Sequence, residues 1–227
     1  MSESIEIIAL VEGITERNFI QKILANYLAQ KSIFIRSIIL SKPGQKGGDV
    51  KIERVKKDIG NHPKPRNDTY VTLMIDFYGI KEWDNLQEAR QKTAPRDKAS
   101  VINQAIKARI AAEFSEYNPP KRFIPYVNVH EFEALLFSDQ ALLAEGLNVD
   151  ISKIQSILSE CGSPERINDS KETAPSKRLE HLTNYKYKKT ITGIEIAQSI
   201  GIDKMRQQCS LFDDWLCSME KLMIEVN

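Results

Sequence analysis

Apolar residues in the N-terminal half of the chain gather into short β-branched runs, with helical stripes between them. Ile5, Ile7, Ile8, Leu10 and Val11 form the first run and predict a buried strand. Glu12 ends it, Gly13 permits a turn, and Thr15 is placed to cap a helix. Glu16 then falls in the first turn, where the helix dipole favours an anion. Phe19, Ile23 and Tyr27, with Ile20, Leu24 and Leu28, recur at i, i+4, i+8 and predict an amphipathic helix. Residues 33–40 predict a second strand. Ile52, Val55 and Ile59 mark a helix that Asp49 can cap and Gly60 can stop. Two prolines make 62–68 a loop.

The run YVTLMI at 70–75 predicts a third strand, with Asp76 at its end and Phe77-Tyr78-Gly79 as a turn. Residues 80–96 are polar and irregular, which predicts a surface excursion. Residues 98–114 carry Val101, Ile102, Ala105, Ile106 and Ile110 along one side and predict a helix. FIPYVNV at 123–129 predicts a fourth strand ending at His130-Glu131, with Pro125 suited to an edge or a bulge. A short apolar helix is expected over 132–137.

This alternation predicts an α/β domain over residues 1–145, a mainly parallel sheet flanked by helices. Strand signals then fade. Short helical patterns at 151–158, 175–182, 194–200 and 212–224 predict a helical C-terminal extension, 146–227, packed on that domain. Residues 205–216, with Trp215, read as core or partner packing.

Composition narrows the classes. At 41% hydrophobic and 28% charged residues, with a net charge of +1, the chain has the make-up of a soluble globular protein. No apolar run approaches membrane-spanning length, and MSESIEII lacks the features of a secretory signal. Cys161, Cys209 and Cys217 fit neither a zinc pattern nor a disulfide framework, so a cytoplasmic location is expected. The net charge averages over uneven segments: residues 171–192 hold six Lys/Arg against two acids. The loop SKPGQKGGD at 41–49 lacks the spacing of a phosphate-binding P-loop.

Acids end three of the expected strands: Glu12, Asp76 and the pair Glu131/Glu133, with His130 beside them. In an open parallel sheet those ends share one edge, where ligands bind. Carboxylates brought together repel unless a cation holds them, and Mg²⁺ accepts hard oxygen ligands while keeping water. The plainer account is that such acids are solvated or cap helices. If 131–133 is extended, Glu131 and Glu133 face the same way; if it is helical they diverge. His130 has no second histidine four residues on, so it belongs to no zincin motif. Lys177, Arg178, Lys186, Lys188 and Lys189, interleaved with Tyr185 and Tyr187, suit phosphate contact and base stacking, or form an ordinary solvated face.

VEGITE is similar to the opening motif of TOPRIM domains. Together with MIDFYG, PYVNVHEFEALLFSD and PERINDSKETAPSKRL, it resembles domain-of-unknown-function family 4276, a TOPRIM-like family of bacterial proteins. The resemblance implies a Mg²⁺- or Mn²⁺-dependent nuclease site acting on DNA or RNA. Glu12 stands at the first-strand glutamate, Asp76 at the first Asp of the DxD motif, and Glu131 or Glu133 is expected to complete the metal shell. It also implies a bacterial antiphage defence setting beside an AAA-type ATPase partner. The chain departs from the motif at Tyr78, which occupies the second DxD position. That departure makes a non-catalytic, scaffolding TOPRIM fold the competing expectation.

Overall fold

Five parallel strands are arranged around β1 (Ile5–Val11). The computed structural model describes residues 4–40, 50–61, 69–115, 119–129, 131–167 and 172–226. The glycine-rich loop at 41–49 with its Asp49 cap, the proline loop at 62–68 and His130 lie outside these. On one side β1 pairs with β2 (Ile33–Ile39), on the other with β4 (Thr69–Asp76). Two short strands, β6 (Phe123–Ile124) and β7 (Val127–Asn128), pair in turn with β4. A separate parallel pair joins β3 (Val50–Lys51) to β5 (Ile80–Lys81). The fold is α/β with a mainly parallel sheet flanked by helices, as the alternation predicts.

Every residue of β1 except Glu6 is buried, as expected for a parallel strand covered on both faces. Ile8 and Leu10 of β1 join Val71, Leu73 and Ile75 of β4 in one apolar cluster. That cluster includes α3 (Ile52–Asn61), α4 (Leu86–Gln91) and α5 (Pro95–Glu113). The alternate positions of β4 face the other way: Thr72 is fully buried and accepts from Trp215 Nε1 at 2.7 Å. Its hydroxyl donates to the Ile124 carbonyl at 2.5 Å, so one side chain ties an indole to the edge strand. Trp215 also stacks on Tyr126, with ring centroids 4.6 Å apart.

The first helix, α1 (Ile14–Phe19), is capped at extended Gly13, and Arg17 N donates to the Gly13 carbonyl. Thr15 therefore lies inside the first turn and is buried; it is not the N-cap. The helix then widens into a π-turn over Ile20–Leu24 before α2 (Ala25–Ala29). Residues 80–96 are no surface excursion. They contain β5 and α4, and buried Trp83 donates from Nε1 to the Val50 carbonyl at 2.8 Å. The fourth strand is split into β6 and β7 around Pro125, whose missing N–H interrupts the ladder. Val127 N donates to Asn103 Oδ1 instead of to a strand.

The chain divides into two compact units, Met1–Val129 with Trp215–Asn227, and His130–Asp214. The second is all helical among the described residues. At its centre is Phe132–Ser138, a 3₁₀ segment and not an α-helix, whose seven residues are all buried. Around it pack α7 (Gln140–Leu147), α9 (Pro175–Leu182), α10 (Ile194–Ile200) and α11 (Ile202–Gln208). Asp139 caps α7, and Asp150 caps α8 (Ile151–Cys161). A π-turn over Lys189–Gly193 leads into α10, and α12 (Ser210–Val226) ends the chain. Among the described residues no helix is long and apolar enough to cross a membrane.

Thr72→Val keeps the shape of the side chain but removes both its hydrogen bonds and strands the indole N–H. Urea denaturation should show a loss of about 2–4 kcal/mol, against about 1 kcal/mol or less if Trp215 is held by stacking alone.

Candidate functional site

Parallel pairing brings the first two sequence candidates to one edge. Val11 lies opposite Met74, so Glu12 follows beside Ile75 and Asp76 comes one position later. Both acids are half-buried at the carboxyl ends of adjacent strands. The chain after Asp76 makes a 3₁₀ turn, Phe77–Gly79, that passes against Glu12. A Cβ added at Gly79 would sit 2.5 and 2.9 Å from the two Glu12 carboxylate oxygens. Only glycine lets the backbone lie this close to them. At Gly13 an added Cβ would lie 3.2 Å from Glu16 Oε2, so the Glu16 carboxylate folds back over its own turn.

Tyr78, at the second DxD position, is half exposed and meets Phe77 edge-on at 5.6 Å. Sequence reading passes over Arg17, whose Nε is buried and donates no hydrogen bond among the described residues. Nothing in the local pattern marks it, since an arginine in a first helical turn is ordinarily solvated. Among the described residues, no three His, Cys, Asp or Glu side chains are grouped so as to hold a metal. The edge offers a pair of carboxylates, Glu12 and Asp76.

Glu131 and Glu133 belong to the second unit, where both reach one lysine. Glu131 accepts from Ser176 N at 2.8 Å and lies 3.5 Å from Lys189 Nζ. Ser176 is in the first turn of α9, whose N-cap position is Ala174, so Glu131 caps that helix across 45 residues. Glu133 is 1% exposed, lies 3.3 Å from Lys189 Nζ and accepts from Tyr187 Oη at 3.4 Å. Glu131 is extended while Glu133 sits in the 3₁₀ segment, and the bend between them lets both point to Lys189. Burial, with the negative charge of Glu133 beside it, pushes the Tyr187 hydroxyl far above its usual range. A Cβ at Gly193 would strike that hydroxyl.

The expected basic stretch is split. Lys177 pairs with Glu180 at 2.6 Å, and Arg178 bonds Glu160 at 3.1 Å and the Thr173 carbonyl. Lys186 and Lys188 are exposed, and so is Tyr185, whereas Tyr187 is buried and offers no stacking face. Glu165 has a role that sequence reading does not assign. Buried, it accepts from Leu211 N at 2.9 Å, Phe212 N at 3.1 Å and the Ser210 hydroxyl, capping α12. Burial raises its pKa, and those donors offset part of the rise.

A family model for a domain of unknown function, DUF4276, matches residues 11–220. The chain belongs to the DUF4276 family. No curated protein and no solved structure matches it. In this DUF4276 chain the matched span takes in both the sheet edge and the second unit, where Glu131 and Glu165 hold helix starts and Glu133 contacts Lys189.

Two outcomes follow. Lys189→Met leaves Glu133 buried without its cation and should cost about 1–3 kcal/mol, reduced from the fully buried case because Lys189 is partly exposed. Adding Glu133→Gln should recover part of that loss in urea denaturation. For Glu165 the folded pKa lies above the unfolded value of about 4.3, so between the two the native state binds more protons than the unfolded chain. Its contribution is fully present below the unfolded pKa and is lost as pH rises through the folded one. Stability of the wild type relative to Glu165→Gln should therefore fall as pH is raised from about 4 towards 7, and a rise would refute the assignment.

Proposed function

We propose that the Glu12–Asp76 edge is a TOPRIM-like, Mg²⁺- or Mn²⁺-dependent site for cleaving phosphodiesters of DNA or RNA. The observation that carries this reading is the placement of two carboxylates on adjacent parallel strands, one of them held against the glycine turn that follows the other. Two carboxylates fit Mg²⁺, which is commonly bound by one or two such groups plus waters and phosphate oxygens. A bound ion of this kind would neutralise phosphoryl charge and acidify a coordinated water.

The chain's own residues supply position and charge. Strand pairing fixes Asp76, and Gly79 fixes the Glu12 carboxylate. Glu16, whose carboxylate folds back over the Gly13 turn that follows Glu12, is the proposed proton acceptor. Glu131 and Glu133 are engaged with Ser176, Tyr187 and Lys189, so the reading rests on Glu12 and Asp76. Exposed Lys186 and Lys188, with Lys177 and Arg178, form the proposed nucleic-acid contact. An AAA-type ATPase partner in an antiphage defence system belongs to the same proposal and is supported by the family resemblance.

Tyr78 favours a second reading, a TOPRIM-like scaffold that binds an ATPase or nucleic acid without cutting it. A ring stands where a third carboxylate would strengthen the metal site.

Glu12→Gln and Asp76→Asn separate the two. In the wild type, Mn²⁺ at about 100 times its Kd should stabilise the fold by about 2.7 kcal/mol, read as a rise in Tm. Either variant should lose most of that rise, lose cleavage of DNA and RNA substrates, and keep or raise its metal-free Tm, because carboxylate repulsion is relieved. A metal-dependent rise without cleavage supports the scaffold. No rise in the wild type overturns the metal site itself.

A further inference from the structure

The edge strand β6 borders a cleft of about 470 Å³ that no part of the proposed nuclease reading uses. Three lysines from three elements converge on it: Lys107 of α5, Lys121 of α6 (Pro119–Arg122) and Lys221 of α12. Among the described residues, no carboxylate lines it. All three lysine side chains are exposed, and none is in an ion pair or hydrogen bond with another described residue. On an ordinary solvated face, lysines alternate with acids, as Lys51 with Glu82 and Lys92 with Glu88 do here. Three ammonium groups around one cavity repel each other, and an anion is what relieves that repulsion.

The neutral groups of the wall are set as donors. Asn103 Oδ1 already accepts from Val127 N, which leaves its amide NH₂ for a ligand. Ser100 Oγ accepts from Gln104 Nε2 at 2.9 Å, which leaves its hydroxyl proton to donate. Pro125 and Leu222 give one side an apolar surface. Ammonium and N–H donors without acceptor carboxylates select phosphate over a cation or a neutral polar group. The volume falls within the range of small-ligand sites, and the apolar side suits the sugar and base of a nucleotide.

This cleft is not the carboxylate edge. Phe123 and Ile124 pair with Val71 and Thr72, four positions short of Asp76 along β4, or about 13 Å at the rise of a strand. We propose that the cleft formed by Lys107, Lys121, Lys221 and Asn103 is a second binding site, for a phosphate-bearing ligand of nucleotide size. That ligand is either a free nucleotide or one nucleotide unit of a nucleic-acid strand.

The test uses the full chain in EDTA, with Glu12 and Asp76 intact, so that it does not depend on the metal-site reading. AMP and a fluorescent oligothymidylate of about ten nucleotides are titrated separately against wild type, Lys107→Glu/Lys221→Glu, and Lys153→Glu as an exposed lysine of the other unit. The wild type should bind at least one probe, and the double reversal should weaken it at least tenfold while Lys153→Glu leaves it unchanged. For the oligonucleotide, the slope of log K against log salt should also flatten, by about 0.7 for each phosphate that is no longer neutralised. Binding of AMP identifies a free nucleotide as the source, and binding of the oligonucleotide alone identifies a strand; either supports the site. If the double reversal fails to fold by circular dichroism, Lys107→Gln/Lys221→Gln gives the same comparison with a smaller charge change. Wild type that binds neither probe, or binding that survives removal of the two lysines, overturns the proposal.

Discussion

The parallel pairing of β1 with β4 is the constraint on which the rest of the first unit depends. An antiparallel pair would send Glu12 and Asp76 to opposite ends of the sheet, and a slip of one residue would turn every side chain of one strand to its other face. Neither is open to this chain, because Ile8, Leu10, Val71, Leu73 and Ile75 share one apolar cluster with three helices. Moving the register would take those side chains out of their packing against the helices and turn Thr72 away from Trp215. The packing of the core thus sets the spacing of two carboxylates that take no part in it.

Much of this is legible in the sequence because its causes are local. A β-branched run ending in an acid and a glycine announces a strand, its end and a turn within a dozen residues. Apolar spacing of three and four likewise places α9 and α10 at their observed bounds. What is not legible has causes distant in sequence. Gly79 matters because of Glu12, 67 positions earlier, and no window around it contains that fact. Trp83 is buried through Val50, so a polar neighbourhood disguises a core residue. Lys107, Lys121 and Lys221 are each unremarkable, and only the fold makes them neighbours. Thr15 has the chemistry of a cap but not the place, because the extended Gly13 already starts the helix.

Acids of one chemical type divide by depth and by what donors surround them. Glu131 and Glu165 meet backbone N–H groups at the starts of α9 and α12, and Glu133 meets a hydroxyl and an ammonium. Each of these carboxylates is satisfied by the protein and orders the helices around Phe132–Ser138. Glu12 and Asp76 are half-buried at the carboxyl ends of β1 and β4. A strongly patterned motif such as HEFEALLF can therefore be architectural, its two acids spent on a helix start, a hydroxyl and a lysine.

The π-turn at Ile20–Leu24 has a consequence for how this chain can vary. A π-turn holds one residue more than the α-helical turn it replaces. Deleting a single residue there would restore regular winding, but each residue is worth about 100° of rotation. With α2 anchored against β2, that rotation would be passed back to α1 and would swing Glu16 and Arg17 around the helix axis. The same holds at Lys189–Gly193, whose first residue contacts two acids. At both places the number of residues, more than their identity, sets where a charge points, so changes in length there carry consequences that substitutions do not.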